Sequence, residues 1–483
     1  MNSLFAYLED IYAPVDTERE FFDLEKTVIG DIPKDLNGSF VQNNPNPSRQ
    51  PDGLYHWFDG DGMVHGVHIN QGAATYRNRF VDTEGRKAEM NAGANLWKGI
   101  LEPIDFKNPL GPDKDTANTD LVYHNGKLLA MWWLSGTPYT LDPQNFETQH
   151  KETFKNTLPF SFAAHPKVDP RTGELIFFSY NPYAPPYLQA GIINRDGICS
   201  HQATLQCPEP SLFHDIAITE NHTIFLDLPM VWQPEKIKQG KRRVAFHKDR
   251  PSRFGVMPRY DDGGSTKWFE LPACYIYHTI NAYEHHNEKG ELLITMTACR
   301  IEDPLPSKDH REESHIPRLF FLRLEPFLYE FTFNMTTGAA AQKQLDDYPT
   351  EFPRCNDLLL GKKSQWAYLP RVAKESTLMF DGFIKYNTQT GTSQHVVYGD
   401  GRIGGESVFV PKGGTTIPDI DSNTTQEDDG YVLTFVRDRK ENRSELVIYD
   451  AKNVDLLAQI VIPQRVPFGF HSHYCDFSTN IFS

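Results

Sequence analysis

Four histidines stand in settings that could bring them to one metal ion: His165 in FAAHPKVDP, His214 in SLFHDIAIT, His278 in CYIYHTINAYE and His471 in PFGFHSHY. Each is flanked by apolar or aromatic residues, which places its imidazole in the interior. A buried imidazole needs partners for both ring nitrogens. Taken singly, each is better read as a hydrogen-bonded core histidine. As a set they gain a second reading, because imidazole is the commonest protein ligand for iron, copper and zinc. Their separations of 49, 64 and 193 residues match no zinc-finger pattern, so any shared site has to be assembled by the fold.

The elements available for that assembly are short strands. DLVYHNGKLLAMWW, DPRTGELIFFSY, ENHTIFLDLP, KGELLITMTA, STLMFDGFIKYNTQTG, EDDGYVLTFVRD and SELVIYDAKN are rich in aromatic and β-branched residues, and each is bounded by Asp, Asn, Gly or Pro. HNGK and RTGE put tight turns directly before apolar runs, the punctuation of consecutive hairpins. Helical periodicity over three turns is hard to find after residue 30. An all-β chain of this length without a linker suits a propeller, in which radial repetition hides the strand edges. The inner strands of successive blades converge on an axis, so one histidine per blade is the geometric expectation.

Composition narrows the partners. Of the 483 residues, 39% are hydrophobic and 12% aromatic, enough for a large core. A formal net charge of −16 argues against a nucleic-acid groove. The one basic cluster, KIKQGKRR at 236–243, reads first as a solvated loop; the sharper reading is contact with an anionic membrane surface, with Met230, Val231 and Trp232 beside it facing the bilayer. Six scattered cysteines without a CxxC pair suit reduced thiols, and the acidic N-terminal stretch does not resemble a signal peptide. The expected location is the cytoplasm, peripheral to a membrane at most.

GDIPKDLNGSFVQNNPNP, WFDGDGMVHGV, ANTDLVYHNGKLLA, AAHPKVDPRTGEL, FHDIAIT, YHTINAYE, TEFPR, GGESVFVP, EDDGYVLTFVRD, RSELVIYDAKN and RVPFGFH, spread from about residue 31 to 471, resemble the carotenoid cleavage oxygenase family in order and spacing. The resemblance implies an all-β, seven-bladed β-propeller over residues 31–483, with loops and short helices capping its iron-bearing face and residues 1–30 packing on it as an extension. It implies one non-haem Fe(2+) per chain, held by His165, His214, His278 and His471. Ligating histidines commonly hand their second N–H to a carboxylate. Motif by motif, Glu351 in TEFPR matches the partner of His278 and Glu406 in GGESVFVP that of His471. The third glutamate is missing: its place falls on Trp133 or, with a loop one residue longer, on Leu134, and no carboxylate lies between Asp120 and Asp142. His214 is left to a water, a backbone carbonyl or another residue. Thr119 in ANTD matches a threonine that borders the open iron position. His285, His286 and His473 fall outside the ligand positions, as surface or supporting residues, and so do His65 and His68.

The chemistry implied is O2-dependent cleavage of a conjugated C=C bond to two carbonyl products. Family branches acting on phenolic stilbenes or isoeugenol carry a lysine before the missing glutamate, where this chain has Trp132 or Trp133, so the expected substrate is a carotenoid or apocarotenoid. Competing readings are stilbene cleavage, isomerohydrolase chemistry and a non-catalytic carotenoid-binding propeller. GDGRIG at 399–404 fits a dinucleotide pattern but is followed by a strand instead of a helix, and DGDG at 59–62 lacks later calcium ligands, so both read as turns.

Overall fold

The turns expected from sequence are built as their chemistry requires. Asn125 and Gly126 take positive φ, +50° and +71°, and fold the strand Asp120–His124 back onto Lys127–Met131. Gly173, at φ +71°, does the same between Lys167–Val168 and Leu175–Tyr180. The computed structural model describes residues 6–304, 322, 324–375, 377–413 and 426–477, and nearly all of their regular structure is antiparallel strand.

Four sheets contain four strands each in simple sequence order, beginning at Asp120–His124, Lys167–Val168, Ile216–Ile218 and Tyr275–His286. A fifth joins Arg19–Phe21, Ala73–Phe80, Asp61–Asn70, Asn37–Asn46 and the last strand, Ser472–Asp476. A ten-stranded sheet runs from Arg354–Cys355 to Leu456–Ile462 and takes in Val28–Gly30; its strands Phe380–Asn387 and Arg402–Gly404 meet through a single residue pair, Phe380 with Gly404. The pairing of Val41 with His473 ties the end of the chain to its beginning.

Strands such as Leu175–Tyr180 are buried on both faces, which their unbroken apolar sequence requires. Three of the four histidines stand just before the first or closing strand of a sheet, His165 before Lys167–Val168, His214 before Ile216–Ile218 and His471 before Ser472–Asp476; His278 lies within Tyr275–His286. Among the described residues two short α-helices lie between strands. Glu84–Ala92 is capped by the Thr83 hydroxyl and ends on Gly93 at φ +63°; Pro234–Lys238 lies in the basic segment. Near the N-terminus, Tyr7 stacks on Trp57 at 6.0 Å and the Phe468 N–H donates to the Ile11 carbonyl at 2.7 Å, so this segment packs against the chain that leads to His471.

One expectation is overturned. Met230, Val231 and Trp232 do not face outward: their exposures are 0%, 6% and 7%. They form a strand paired with Val244–Phe246, the Leu212 N–H donates to the Met230 carbonyl, and Trp232 stacks on Trp133 at 6.3 Å. Their apolar surface fills the interior, so only part of the basic run beside them meets solvent; Arg242 is itself tied to Asp113 at 2.5 Å. GDGRIG is a turn, with Gly399 and Gly401 at positive φ, leading into Arg402–Gly404. The two aspartates of DGDG are spent on local contacts, Asp59 on the His56 and Ile100 amides and Asp61 on Ser48 and Lys114. All six cysteines are free. No helix among the described residues is long and apolar enough to cross a membrane.

Candidate metal centre

His165, His214, His278 and His471, drawn from four different sheets, meet at one point. Ring centroids of His165 lie 4.8, 5.1 and 4.5 Å from those of His214, His278 and His471, and His278 lies 5.1 and 4.7 Å from His214 and His471. One nitrogen each of His165, His278 and His471 falls within a span of 4.8 Å, a set that could hold a metal ion.

Two of the rings are oriented from behind. His278 Nδ1 donates to Glu351 Oε2 at 2.5 Å, and His471 Nδ1 donates to Glu406 Oε1 at 3.1 Å. Both glutamates are themselves fixed, since Glu351 Oε2 accepts the Phe352 N–H and Glu406 Oε2 accepts the Ser472 N–H, each at 2.5 Å. The Nδ1 bonds leave the Nε2 lone pairs for the axis. Phe352 stacks on His471 at 4.5 Å and closes one side.

Burial pushes the pKa of all four imidazoles down, and the neighbouring imidazoles push His165, His214 and His278 further the same way; His471 falls to about 4. The rings are therefore neutral near pH 7, the form a metal needs. Burial pushes the Glu351 carboxyl up, and pushes Glu406 up to about 7 against the pull of Arg354.

His278 and His471 border two unlike cavities. One, of about 430 Å³, is lined by charged groups including Asp120, Lys167, Asp215, Arg354 and Glu406. The other, of about 30 Å³, is walled by Trp57, Phe58, Trp133, Phe352 and Phe470, with Thr119 and His214 on its border. The Thr119 hydroxyl donates to Asn118 Oδ1 at 2.9 Å and accepts the Trp133 N–H at 3.1 Å. Its polar atom is engaged with its neighbours. A third cavity, of about 100 Å³, reaches from Leu54 and Lys98 inward to Phe58 and Trp133, which it shares with the apolar one.

The missing carboxylate is missing in space as well. Of the two candidates for the vacated place, Trp133 borders the apolar cavity together with His214, and Leu134 does not. Among the described residues no carboxylate accepts a bond from His214, whose ring stands edge-on to Tyr277 at 5.0 Å.

His65 and His68 sit in Asp61–Asn70, bonded to Tyr76 and Ser39; His285 and His286 end their strand away from the axis; His473 lines the charged cavity. Sequence reasoning passed over Asp120, Asp215, Lys167 and Arg354. Lys167 pairs with Asp215 at 2.7 Å, and Arg354 reaches Asp357 at 2.6 Å and Glu406 at 3.8 Å. Asp215 directly follows His214, and Asp120 directly follows Thr119, which was the available signal.

The donor set fits a metal. His165 Nε2 and His278 Nε2 are buried without a hydrogen-bond partner, a costly arrangement for two acceptors unless a cation lies between them. The family model described as retinal pigment epithelial membrane protein matches residues 12–476. The chain belongs to the carotenoid cleavage oxygenase family. Like its relatives in that family it is an enzyme of the dioxygenase class, and the family is metal-dependent. This carotenoid cleavage oxygenase family member is 37% identical to carotenoid 9,10(9',10')-cleavage dioxygenase 1 of Arabidopsis thaliana, over 96% of this chain and 89% of that one. Among solved structures it resembles the lignostilbene dioxygenase of Pseudomonas brassicacearum, with a TM-score of 0.83 and 29% identity over 97% and 98% of the two chains. It also resembles cobalt-substituted apocarotenoid oxygenase of Synechocystis, with a TM-score of 0.82 and 26% identity over 98% and 99%.

Proposed function

We propose that this enzyme cleaves a conjugated C=C bond of a carotenoid or apocarotenoid with O2, giving two carbonyl products, at a single Fe(II) held by His165, His214, His278 and His471. The observation that carries the reading is the pair of buried, partnerless Nε2 atoms of His165 and His278, with carboxylates behind His278 and His471 and an aromatic cavity bordered by His214, His278 and His471. Bound there, Fe(II) would supply the activation of O2 that no side chain provides. The protein's own part is binding and exclusion. Trp57, Phe58, Trp133, Phe352 and Phe470 give the alkene an apolar surface and keep water from it, while Thr119 narrows the space beside the histidines. The cavity reaching in from Leu54 gives a long substrate its approach, past Phe58 and Trp133, whose rings lie 5.5 Å apart.

Seven blades are proposed from the five separate sheets of four or five strands and two more where the ten-stranded sheet divides at its single Phe380–Gly404 pair, with the two-stranded ribbon Met230–Trp232 and Val244–Phe246 standing outside the blades. A peripheral membrane contact is assigned to the excursion that exposes Met90, Phe106 and Leu110 by 48%, 51% and 52%, and whose Ile104 N–H bonds the Gly240 carbonyl of the basic loop. Vesicle flotation of Phe106→Glu tests that contact, with unchanged binding to anionic vesicles as the refuting result. The place that the resemblance gives to a lysine in phenol-cleaving branches falls on Trp132 or Trp133, both buried and apolar, which supports a polyene over a stilbene.

The function is tested with iron-loaded protein, ¹⁸O₂ and a panel of β-carotene, apocarotenals, resveratrol and isoeugenol. Labelled aldehydes from a polyene are expected, and His278→Ala is expected to abolish them. Intact bound pigment would mean a carrier, and an isomerised alcohol without cleavage an isomerase; either overturns the reading.

A further inference from the structure

Asp120 opens the strand Asp120–His124 and is 6% exposed. Its Oδ1 accepts the Leu121 N–H at 2.8 Å. Its Oδ2 accepts the His165 N–H at 3.1 Å and lies 3.6 Å from His165 Nδ1. One carboxylate oxygen thus addresses both the main chain and the ring of a single axial histidine. His165 is held at φ +67°, the left-handed region that L side chains enter at a cost, and the bond to its N–H fixes it there.

A plainer role exists for such a residue. Asp215, just before the strand Ile216–Ile218, accepts the Ile216 and Thr279 amides, and Asn281, within Tyr275–His286, accepts those of Ala282 and Gly361 on Oδ1, so in each case a polar side chain bonds the next residue of its own segment and an amide of a remote one. That tie needs an acceptor oxygen and no charge, as Asn281 shows. Asp215 spends its charge on Lys167 at 2.7 Å. Among the described residues the ion-pairing neighbour of Asp120 is His165 alone.

We propose that Asp120 is a positioning residue for the metal: it orients His165 and supplies the third carboxylate of the centre, moved to His165 from the place that Trp133 has vacated behind His214. The inference rests on the metal reading above. A shift of under about 1 Å or a small turn of the ring brings the 3.6 Å contact into hydrogen-bond range once Nε2 is drawn to a cation.

Full-length wild type, Asp120→Asn and Asp120→Ala are compared for Co(II) stoichiometry, Co(II) affinity by chelator competition, Co(II) absorption spectrum and thermal unfolding without metal. Asn can keep the tie to the His165 N–H through its one oxygen at the loss of the local Leu121 bond, so metal-free unfolding is expected to fall far less than in Asp120→Ala, while affinity falls roughly 10- to 100-fold and the Co(II) bands shift. Ala is expected to lose both stability and affinity. Wild-type affinity in Asp120→Asn overturns the proposal and leaves Asp120 as a tie. Should Asp120→Asn fail to fold, the Co(II)-loaded wild type decides: three slowly exchanging imidazole N–H protons, from His165, His278 and His471, are expected, and two overturn the proposal. A wild type that binds no Co(II) at one per chain overturns the functional reading itself, and this inference with it.

Discussion

Replacing Trp133 by glutamate should tighten metal binding while weakening the fold, and the two effects have separable sizes. Trp133 is 8% exposed and packs against Phe58 at 5.5 Å, Trp132 at 6.2 Å and Trp232 at 6.3 Å. Removing such a ring costs about 3–5 kcal/mol by the usual behaviour of buried aromatic side chains. On the other side, a carboxylate behind a ligating histidine changes metal affinity by about 10- to 100-fold, or about 1.4–2.7 kcal/mol. The metal-free Trp133→Glu protein should therefore unfold at lower denaturant than wild type, and its gain in stability on adding metal should exceed that of wild type by about 1.4–2.7 kcal/mol. Trp133→Leu is the control, sharing the lost ring without the carboxylate. The assay is chelator competition followed by metal analysis of the desalted protein, paired with urea unfolding with and without metal. If Glu and Leu variants retain metal equally, the carboxylate does not reach His214, and the assignment of Trp133 to the vacated place is wrong.

Three further outcomes are expected. Glu351→Gln keeps the shape of a fully buried side chain but removes the charge behind His278, so metal affinity should fall about 10- to 100-fold with a small change in metal-free unfolding, measured by the same competition. Glu284, on the strand bearing His278, accepts bonds from His222, Thr219 and Asn221 of the sheet headed by His214; burial raises its pKa, but those bonds outweigh it and hold the group down to about 2. Its folded pKa is below the unfolded one, so its contribution is present above about pH 4.5 and is lost as pH falls towards 2; for a half-screened group that is on the order of 1–2 kcal/mol, and Glu284→Gln should flatten the acid limb of a urea-midpoint-against-pH curve. Ending the chain after Phe470 removes His471 and the strand that pairs with Asn37–Asn46, so the product should lack a cooperative thermal transition in calorimetry; a native-like transition would refute the closure.

How much of this was legible beforehand depends on whether a residue's role is local. Strand runs, the Asn125–Gly126 turn and the apolar settings of the four histidines are written in neighbouring residues, and the structure brings those histidines together. Glu351 and Glu406 were legible through motifs alone, since nothing in TEFPR or GGESVFVP says which ring lies in front of it. Met230, Val231 and Trp232 show the opposite failure. An apolar triplet next to a basic run looks the same whether it faces lipid or core, and the choice is made by remote groups, the Leu212 amide and the Trp133 ring, that sequence proximity does not reveal. Asp120 was hidden for a related reason, because its importance lies in a contact with His165, 45 residues further along the chain.

The support behind the four rings is uneven. His278 and His471 are backed by glutamates, His165 by an aspartate that also holds its main chain, and His214 by a tyrosine edge. A ring without an acceptor behind it is a poorer donor and a freer rotor, so His214 should hold metal least tightly of the four. Its freedom lies on the side of the apolar cavity, which both His214 and Trp133 border. Trp133 adds aromatic surface to that border, where the proposed polyene would lie. Trading a charge behind the metal for apolar contact beside it is chemically consistent only if binding energy is recovered elsewhere in the centre, and Asp120 is the buried carboxylate placed to recover it.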